Sequence, residues 1–332
     1  MGFNLGPWAH LHNAPPFTSR GEPTFAGISG GRTSAMMAAL CSDDVVLSFQ
    51  NTGREHPKTY EFLKRLDDAL GGRLVLLEFR KPLVKGAAPE QARPEVVTHD
   101  TMDRTGAVFE DVLSTLAEFR AENGKGRIAP WARQRLCTAY TKHITLRRYI
   151  AAQGVEAYTT FIGLRADEPE RVGRLAAAGT RNRTMATPLH RAGITKADVM
   201  RFWSMQSFDL EIADHQGNCT ACFLKDESDL ARVLIEPETD APWWYRMEEE
   251  YPGFGGYDSP GYRTLAAEGP ARLAIEAALR GGGLVPPRPE HIAPRRYLNV
   301  VRQEERRMRG EKVAFSCACE RSFVADDAEE AA

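Results

Sequence analysis

The sequence predicts an α/β protein with a parallel, Rossmann-like sheet, and three observations lead to that fold class. Short apolar runs alternate with segments of helical composition from Thr24 to Phe79. The run Val45–Phe49 is continuously apolar, as in a strand covered by helices on both faces. A glycine pair at Gly30 and Gly31 joins the first strand directly to the first helix. This alternation predicts parallel strands joined by right-handed crossovers.

The individual elements follow from local sequence features. Pro57 in a first turn and a Gly-Gly pair at Gly71 delimit the second helix, and Thr195 is the N-cap that opens a later one. Lys81–Thr105 carries Pro and Gly and is predicted to be a long connection, either a mobile lid or an insertion. The predicted strands are Thr24–Ile28, Val45–Phe49, Arg73–Phe79 and Ala157–Ile162, and the predicted helices are Arg32–Leu40, Pro57–Leu70, Val108–Glu122, Arg133–Gln153 and Asp198–Met205.

The alternation is lost after Gln216, so a different kind of module is expected there. Ala241–Pro260 is rich in Trp, Tyr, Gly and Pro and predicts irregular structure, in which the aromatic residues either form a packing core or stack on bases. Two further helices are predicted at Pro270–Leu279 and Tyr297–Arg309. The acidic, Ala-rich tail after Phe323 is predicted to be disordered.

The charge of the chain is unevenly distributed, although its formal net value is only −2. Basic residues concentrate between Asn123 and Val155, where there is no Asp or Glu, and again at Arg165–Arg183 and Arg295–Arg309. Such stretches suit a small anion such as a nucleotide, a nucleic-acid backbone, or simply solvated helix faces.

The N-terminus lacks the charged and apolar regions of a signal peptide, and no apolar run approaches the ~20 residues that span a bilayer. These features predict a cytoplasmic protein without membrane association. In that reducing compartment the six cysteines are expected to be thiols or metal ligands rather than disulfides.

A candidate phosphate loop, Ser29–Ser34 with the sequence SGGRTS, lies between the first strand and the first helix. Its two glycines allow a tight turn, and the helix start presents N–H groups to an anion. Hydroxyl groups of Ser29, Thr33 and Ser34 add further donors. The segment is neither a P-loop, because the GK[ST] ending is absent, nor a G-x-G-x-x-G fingerprint. A plain connection is the alternative interpretation.

The segment SGGRTS resembles the PP-loop (SGGxDS) of adenine nucleotide α-hydrolases and phosphoadenosine-phosphosulfate (PAPS) reductases. Gln50–Gly53 and the following REHPKTYEF resemble the DTG-x-x-x-x-x-TY segment that lines the nucleotide pocket of that family. Thr33 departs from the usual Asp of the PP-loop, which counts more against ATP pyrophosphatase chemistry than against nucleotide binding.

The second half of the family pattern follows in the family's order. Arg135-Leu136-Cys137 with Lys142 resembles its Cys-containing helix, Gly163–Glu168 with Arg171 resembles its GIRADES-x-x-R block, and Cys219–Cys222 matches its closing CxxC. Pro188-Leu189 with Ile194–Trp203 also matches. The resemblance implies these nucleotide-binding residues: Ser29, Gly30, Gly31, Arg32, Thr33, Ser34, Gln50, Asn51, Thr52, Gly53, Gly163, Arg165 and Arg171.

The resemblance runs from about Thr24 to about Lys225 and implies an adenine nucleotide α-hydrolase (HUP-type) core. The mix of blocks is most similar to the phage and prophage branch, with kinship to the sulfur-transfer enzyme of DNA phosphorothioation. The expected organisation is an N-terminal extension (1–23), a PAPS reductase-like nucleotide-binding domain (24–225), a C-terminal Cys-containing module (226–323) and a disordered tail (324–332).

Five cysteines suggest a metal centre. Cys219-x-x-Cys222 has metal-ligand spacing and Cys317-x-Cys319 offers two more thiolates, which together could form a structural Cys₄ zinc site. In adenylyl-sulfate reductases a Cys-Cys pair and a distant CxxC bind a [4Fe–4S] cluster. That resemblance implies Cys137, Cys219, Cys222 and Cys319 as ligands, with Cys317 in place of Cys319 as a variant. A chain without metal is the third possibility. Reductases of that family also carry a catalytic cysteine near the C-terminus, and the resemblance implies Cys317 or Cys319 for that role.

The implied function is an oxidoreductase of sulfur metabolism, similar to phosphoadenylyl-sulfate reductase. A thiolate of Cys317 or Cys319 would attack the sulfate of PAPS or adenylyl sulfate (APS), Lys142 and Arg165 would balance charge, and a thiol reductant such as thioredoxin would complete the reaction. Two alternatives stay open. One is an ATP-dependent, adenylating sulfurtransferase acting on DNA or tRNA, and the other is a non-catalytic nucleotide or redox sensor.

Overall fold

The computed structural model describes residues 2–125, 135–176, 179–251 and 260–311. The described chain divides into two compact units. The first comprises the residues up to 125 and Leu136–Ile212, and the second the residues from Ala213 onward together with Arg135. Within these ranges no helix is both long and apolar enough to cross a membrane. The predicted domain limits stay predictions, and the tail after Phe323 lies outside the described residues.

A six-stranded sheet organises the first unit. Its strands are β1 (Thr24–Ile28), β2 (Val45–Gln50), β3 (Leu74–Arg80), β4 (Arg93–Val97), β5 (Tyr158–Phe161) and β6 (Arg183–Ala186). They lie in the order β4-β3-β2-β1-β5-β6, and every neighbouring pair is parallel except β3 and β4. The predicted Rossmann-like α/β class is therefore confirmed.

Helices cover both faces of this sheet. Ala26 and Ile28 of β1 point into the main core, while Phe25 points to the opposite face, where it packs with Leu146 and Ile150. This alternation of burial on both sides explains why the central strands are apolar throughout. The helices of the first unit are α1 (Arg32–Leu40), α2 (Pro57–Ala69), α3 (Ala107–Glu122), α4 (Thr145–Ala152), α5 (Pro169–Ala176), α6 (Pro188–Arg191) and α7 (Lys196–Ser204).

The two edge strands were missed by the sequence prediction. Residues 81–105 were expected to form a lid or an insertion, but they contain β4, which pairs antiparallel with β3. Its sequence RPEVV includes a proline and is largely exposed, as an edge strand allows. β6 has only four residues and starts with Arg183. Short polar edges carry too little apolar pattern to be recognised.

The predicted helix Arg133–Gln153 has a different form. Its residues 133–134 lie outside the described ranges, and its first described part, Cys137–Ile144, is a π-helix that continues into α4. The N–H and hydroxyl groups of Thr145 both reach the carbonyl of Tyr140, the hydroxyl at 2.9 Å. A π-turn widens the helix locally and is frequent at functional sites, but it leaves no mark on a 3.6-residue pattern.

The N-terminal segment packs into the main core of the first unit. Trp8 and Phe17 are buried there, and Phe17 has no exposed surface. The N–H of Asn13 donates to the carbonyl of Leu40 at 3.2 Å and so supplies a partner to the last turn of α1. The segment before β1 therefore supports the same helix that begins at the candidate phosphate loop.

The second unit is helical in its described part. Its helices are α8 (Glu227–Val233), α9 (Ala241–Glu250), α10 (Tyr262–Arg280) and α11 (Pro294–Met308). Arg272 is fully buried and donates to Glu304 at 3.1 Å and to Glu268 at 3.0 Å, so α10 and α11 share a paired ionic interior. Removing one partner of such a pair would leave an uncompensated buried charge.

The predicted irregular segment Ala241–Pro260 begins instead with the regular helix α9. Pro242 lies in its first turn, where a proline is tolerated, and Trp243, Trp244 and Met247 are buried along it. These aromatic residues therefore form a packing core rather than an exposed stacking surface. Residues 252–259 of the segment lie outside the described ranges.

A pH-dependent contribution to stability is expected from Asp226, the N-cap of α8. Burial and the neighbouring Asp229 raise its pKa from 3.8 to about 6. A raised pKa in the folded state stabilises the protein below pH 4, and this contribution is lost as the pH rises to about 6. Asp226→Asn keeps the cap but not the charge. In urea denaturation, the free energy of unfolding of the variant relative to that of the wild type should rise by on the order of 2 kcal/mol between pH 4 and pH 7. A pH-independent difference would contradict this assignment.

Candidate functional site

The strand order places the candidate site between β1 and β5. From β1 the chain proceeds through β2 and β3 to one edge, and it returns to β5 and β6 on the other side of β1. The order therefore reverses between β1 and β5, and open α/β sheets bind ligands outside the carboxyl ends of the strands at such a point. Two predicted segments follow these strands directly, Ser29–Ser34 after β1 and Gly163–Glu168 after β5.

The predicted phosphate loop turns sharply into α1. Gly30 has a φ of +77°, and the side chain of the buried Ser34 fastens the turn. Its hydroxyl accepts from the N–H of Ser29 at 3.0 Å and donates to the carbonyl of Gly31 at 3.1 Å. The first N–H groups of α1 have no intrahelical acceptors, as at any helix start, and are suited to an anion.

Arg32 is held by contacts within the first unit. Its guanidinium donates to both carboxylate oxygens of Asp209, at 2.7 and 2.9 Å, and also to the carbonyl of Leu210. The indole N–H of Trp203 donates to the carbonyl of Arg32 at 2.8 Å. Both the side chain and the backbone of Arg32 thus fix the first turn of α1. Its role as a nucleotide ligand stays a prediction, and this geometry favours positioning.

Arg165 connects the loop after β5 to the phosphate loop. Its Nη1 donates to the hydroxyl of Thr33 at 3.2 Å, so the two predicted segments meet. Its Nε donates to Asp167 at 3.0 Å, and its Nη2 lies 3.3 Å from Glu168. Arg171 donates to the other oxygen of Glu168. Two carboxylates therefore orient Arg165, and its Nη1 corner is the part turned towards the phosphate loop.

Gly163 allows the two segments to approach each other. A Cβ at this position would lie 3.2 Å from the Cα and 3.4 Å from the nitrogen of Ser34. These are backbone atoms of the first turn of α1, which cannot move aside as a flexible side chain can. Gly163 therefore has a steric role between β5 and α1.

The segment after β2 forms a buried hydrogen-bond network around Asn51. Its amide donates to Glu78 and to the carbonyl of Asp103, both at 2.7 Å. Its side-chain oxygen accepts from the N–H of Gly53 and the hydroxyl of Tyr60, both at 3.0 Å. All four contacts are internal, so Asn51 shapes this end of the strand, and its role as a nucleotide ligand stays a prediction.

The neighbours of Asn51 are also engaged within the protein. Gln50 is buried and donates to Ser48 at 2.9 Å. Gly53 has a φ of +81°, and a Cβ there would lie 2.3 Å from an oxygen of Asp103. The loop at Asp103 thus closes over the end of β2, which only glycine at position 53 permits. The predicted ligand roles of these residues stay predictions.

Glu55 is a candidate that the sequence analysis did not single out. It is buried, accepts from the hydroxyl of Thr52 at 2.8 Å, and has an oxygen 3.2 Å from the hydroxyl of Tyr60. Burial raises the pKa of Glu55, and the positive charge of Lys142 opposes that rise. Burial likewise raises the pKa of the Cys137 thiol, again opposed by Lys142. The π-helix thus brings the predicted catalytic Lys142 within electrostatic reach of both groups. The sequence does contain a signal for Glu55, because a charged residue stands there two positions after the strand-end segment Gln50–Gly53.

Thr59, at the start of α2, is fully buried beside the phosphate loop. A Cβ on Gly30 would lie 2.6 Å from its methyl carbon. Its hydroxyl has no hydrogen-bond partner in the described structure. The hydroxyl has no exposed surface, and the methyl carbon is the part of Thr59 that lies against Gly30, so Thr59 packs against the turn of the phosphate loop.

The CxxC turn is anchored by aromatic residues of its own unit. The indole N–H of Trp244 donates to Thr220 at 3.3 Å, and the hydroxyl of Tyr262 donates to the carbonyl of Ala221 at 3.2 Å. Cys222 is buried and Cys219 partly buried. Together they supply two thiolates, half of a four-thiolate site.

For the remaining predicted ligands, the structure does not test the metal centre. Cys137 belongs to the first unit, and Cys317 and Cys319 lie outside the described residues. Within the ranges the structure describes, no three His, Cys, Asp or Glu side chains are gathered as metal ligands. The [4Fe–4S] cluster and the alternative zinc site therefore stay predictions.

Replacing Gly30 with alanine is expected to destabilise the protein by about 2 kcal/mol. A left-handed backbone costs an L-residue roughly 1–2 kcal/mol, and the new methyl would overlap the side chain of Thr59. Urea denaturation measures the loss. Gly173→Ala in α5 is the matched control, because no atom of the described residues lies within 4 Å of a Cβ there; alanine should stabilise that helix slightly. Equal stability of Gly30→Ala and the wild type would contradict the described turn.

Comparison with known proteins shows sequence similarity between the chain and a phage protein. No family model matches it. Among solved structures it is similar to phosphoadenylyl-sulfate (PAPS) reductase from Candida auris in a phosphate complex, with a TM-score of 0.32 and 16% identity, covering 56% of this chain and 73% of that one. The chain is 30% identical over 229 residues to the uncharacterized nin region protein ORF290 of Escherichia phage lambda, covering 63% of this chain and 71% of that protein. At this identity and coverage, the chain belongs to the same family as that phage lambda protein.

Proposed function

We propose that the chain binds an adenine nucleotide between β1 and β5 and acts on it as a sulfonucleotide reductase-like enzyme. The observation that carries the proposal is the hydrogen bond from Arg165 Nη1 to Thr33, which joins the loop after β5 to the start of α1. A guanidinium corner, hydroxyl groups and helix N–H groups then converge at the point where an α/β sheet takes its ligands. This donor set suits a phosphate or sulfate group.

The proposed reaction begins with a cysteine thiolate attacking the sulfur of a nucleotide-bound sulfate. An S–S bond forms, the bond between sulfur and the phosphate oxygen breaks, and the nucleotide phosphate leaves with that electron pair. The product on the protein is a cysteine thiosulfonate. A dithiol reductant such as thioredoxin supplies two electrons, releases sulfite and restores the thiol. Cys317 and Cys319 are the proposed nucleophiles.

Two side chains have proposed roles in this step. Arg165 neutralises charge on the leaving phosphate, because its Nη1 corner faces the phosphate loop. Lys142 lies within electrostatic reach of Glu55 and of the Cys137 thiol, and its proposed role is to balance the nucleotide's charge near the end of β2. The cysteine pair at Cys219 and Cys222 is proposed to contribute to a metal centre, and the reaction steps above do not pass through it.

The test is turnover by protein purified without oxygen. Iron, sulfide and zinc are quantified first, and the protein is then incubated with PAPS or APS and a thioredoxin reducing system. The proposal predicts release of sulfite and of the nucleotide in equal amounts. Cys317→Ser or Cys319→Ser should abolish sulfite release while the nucleotide dissociation constant stays within about twofold.

Other outcomes of these experiments would favour one of the two alternative functions, the sulfurtransferase or the sensor. Pyrophosphate released from Mg·ATP without any sulfite would favour an adenylating sulfurtransferase, and salt-sensitive binding of DNA or tRNA would strengthen it. Nucleotide binding with no turnover of PAPS, APS or ATP would contradict the reductase reaction and favour a sensor. A protein that binds no adenine nucleotide would contradict the proposal as a whole.

A further inference from the structure

Helix α11 and its C-terminal cap carry six arginines, which the structure divides into two groups. Two of them turn inward. Arg296 donates to Glu227 and Glu268, at 2.7 and 2.8 Å. Arg307 pairs with Asp229. These contacts join α11 to α8 and α10, so the packing of the second unit accounts for both inward arginines.

The other four arginines face outward. Arg295 and Arg302 are exposed, and neither side chain makes a hydrogen bond or an ion pair within the described residues. Arg306 and Arg309 are also exposed, and both donate to the single carboxylate of Glu311, at 3.1 and 2.6 Å. Because exposed ion pairs contribute only about 0–1 kcal/mol, another anion can readily replace that carboxylate. The packing of α11 therefore does not account for these four residues.

The four outward residues form a continuous arginine stripe along one side of the helix. Their spacing of i, i+7, i+11 and i+14 returns to the same face at 3.6 residues per turn, over a length of about 21 Å. Leu298 and Asn299 are exposed on the same side, and Glu305 is only partly exposed. A solvated helix face usually mixes charges of both signs. The stripe has a clear excess of positive charge instead.

An extended polyanion suits this surface. A helix surface is convex, so it does not enclose a small anion. One strand of a nucleic acid presents a phosphate about every 3.4 Å along the duplex axis, so several phosphates can face a stripe of this length. Arginine suits each of them, because its planar guanidinium donates bidentately to phosphate.

Protein and membrane partners fit the stripe less well. The centres of protein interfaces are depleted of charged residues, whereas arginines form the length of this surface. A helix that lies on a membrane needs a broad free apolar face. The apolar face of α11 is already occupied, because Tyr297 and Val300 pack with Ile275 of α10. Charge complementarity therefore favours a nucleic acid.

We infer that the arginine stripe of α11 binds the phosphodiester backbone of a nucleic acid. Contacts of this kind position a protein but carry no sequence information, so the binding is independent of sequence. The inference goes beyond the proposed function and does not depend on it, since α11 belongs to the second unit. It selects one interpretation of the basic stretch Arg295–Arg309 and limits it to the outward residues.

The experiment is a fluorescence anisotropy titration of the full chain with a labelled DNA duplex of about 20 base pairs, from about 50 to 200 mM NaCl. Each neutralised phosphate contributes about −0.9 to the slope of log association constant against log salt, so four arginines predict a slope of about −3 to −4. Arg302→Gln should make the slope shallower by about one unit and weaken binding equally for all sequences. Arg302→Lys keeps the charge and should retain the slope.

Arg263→Gln is the matched control. Arg263 is an exposed arginine on α10 of the same unit, but its guanidinium is paired with Glu249 at 2.6 Å. This variant should bind the duplex with the wild-type slope. Replacing all four arginines of the stripe with glutamine should abolish binding at about 100 mM NaCl, while the free energy of unfolding changes by about 1 kcal/mol or less. The dissociation constant of that variant for adenine nucleotide should stay at the wild-type value.

Three results would overturn the inference. The first is a folded wild-type protein that does not bind the duplex at about 50 mM NaCl. The second is a variant without the four arginines that binds the duplex as tightly as the wild type. The third is stripe-dependent binding of phosphatidylserine vesicles without binding of the duplex, which would assign the stripe to a membrane surface. All three leave the turnover of PAPS or APS unaffected, so failure of this inference is distinguishable from failure of the proposed function.

Discussion

Replacing Arg165 with alanine should weaken nucleotide binding roughly 100-fold, since a charge-assisted hydrogen bond contributes about 1.5–3 kcal/mol. The Nη1 group that donates to Thr33 is the one turned towards the phosphate loop, so a bound anion would lose its guanidinium donor. Stability should change by only about 1 kcal/mol or less, because Glu168 keeps Arg171 as a partner and Asp167 is exposed. Calorimetric titration and urea denaturation measure the two quantities separately.

Arg174→Ala provides the matched control for this variant. Arg174 lies on α5, is exposed, and makes a surface contact with the carbonyl of Glu170. The substitution removes the same charge from the same region of the chain. Its dissociation constant should equal that of the wild type. A folded Arg165→Ala protein with unchanged affinity would remove Arg165 from the site.

Asn51→Asp should destabilise the protein by about 3–5 kcal/mol at neutral pH. The amide of Asn51 donates to Glu78 at 2.7 Å, so aspartate would place a second carboxylate against a buried one. Two carboxylates at that distance share a proton, which raises their pKa in the folded state. The loss should therefore be smallest at acidic pH and grow as the pH rises. Urea denaturation at pH 5 and pH 8 measures it.

Glu78→Gln provides the corresponding control. Combined with Asn51→Asp it restores a donor–acceptor pair, so the double variant should be more stable than the sum of the two single changes predicts. The pair also accounts for an amide rather than a carboxylate at position 51, because an aspartate there would face Glu78. An Asn51→Asp protein as stable as the wild type at pH 8 would contradict this account.

The central fold could be predicted from the sequence because its information is local. The bounds of β1 and α1 match the prediction, since an apolar run, a glycine turn and a helical segment follow one another within a few residues. The Thr195 N-cap is confirmed, and Asp198 completes it as a capping box. The edge strands β4 and β6 were not predicted, because pairing with their neighbouring strands, and not a pattern in their own sequence, holds them in place.

The site was only partly predictable for the same reason. The segments at Ser29–Ser34 and Gly163–Glu168 were identified, but their contact through Arg165 depends on β5 lying beside β1. The pairing of Arg32 with Asp209 and the bond from Asn51 to Glu78 join distant positions. No spacing rule indicates that such residues turn inward to hold the site rather than outward to a ligand. The unpaired hydroxyl of Thr59 is visible only once the packing around Gly30 is known.

The most direct test of the central claim is a crystal structure of the protein with adenosine 3′,5′-bisphosphate. The account predicts one phosphate group at the first turn of α1, about 3 Å from Nη1 of Arg165 and from the hydroxyl of Thr33. A nucleotide bound elsewhere, with Arg165 still donating to Thr33, would contradict the assignment of the site.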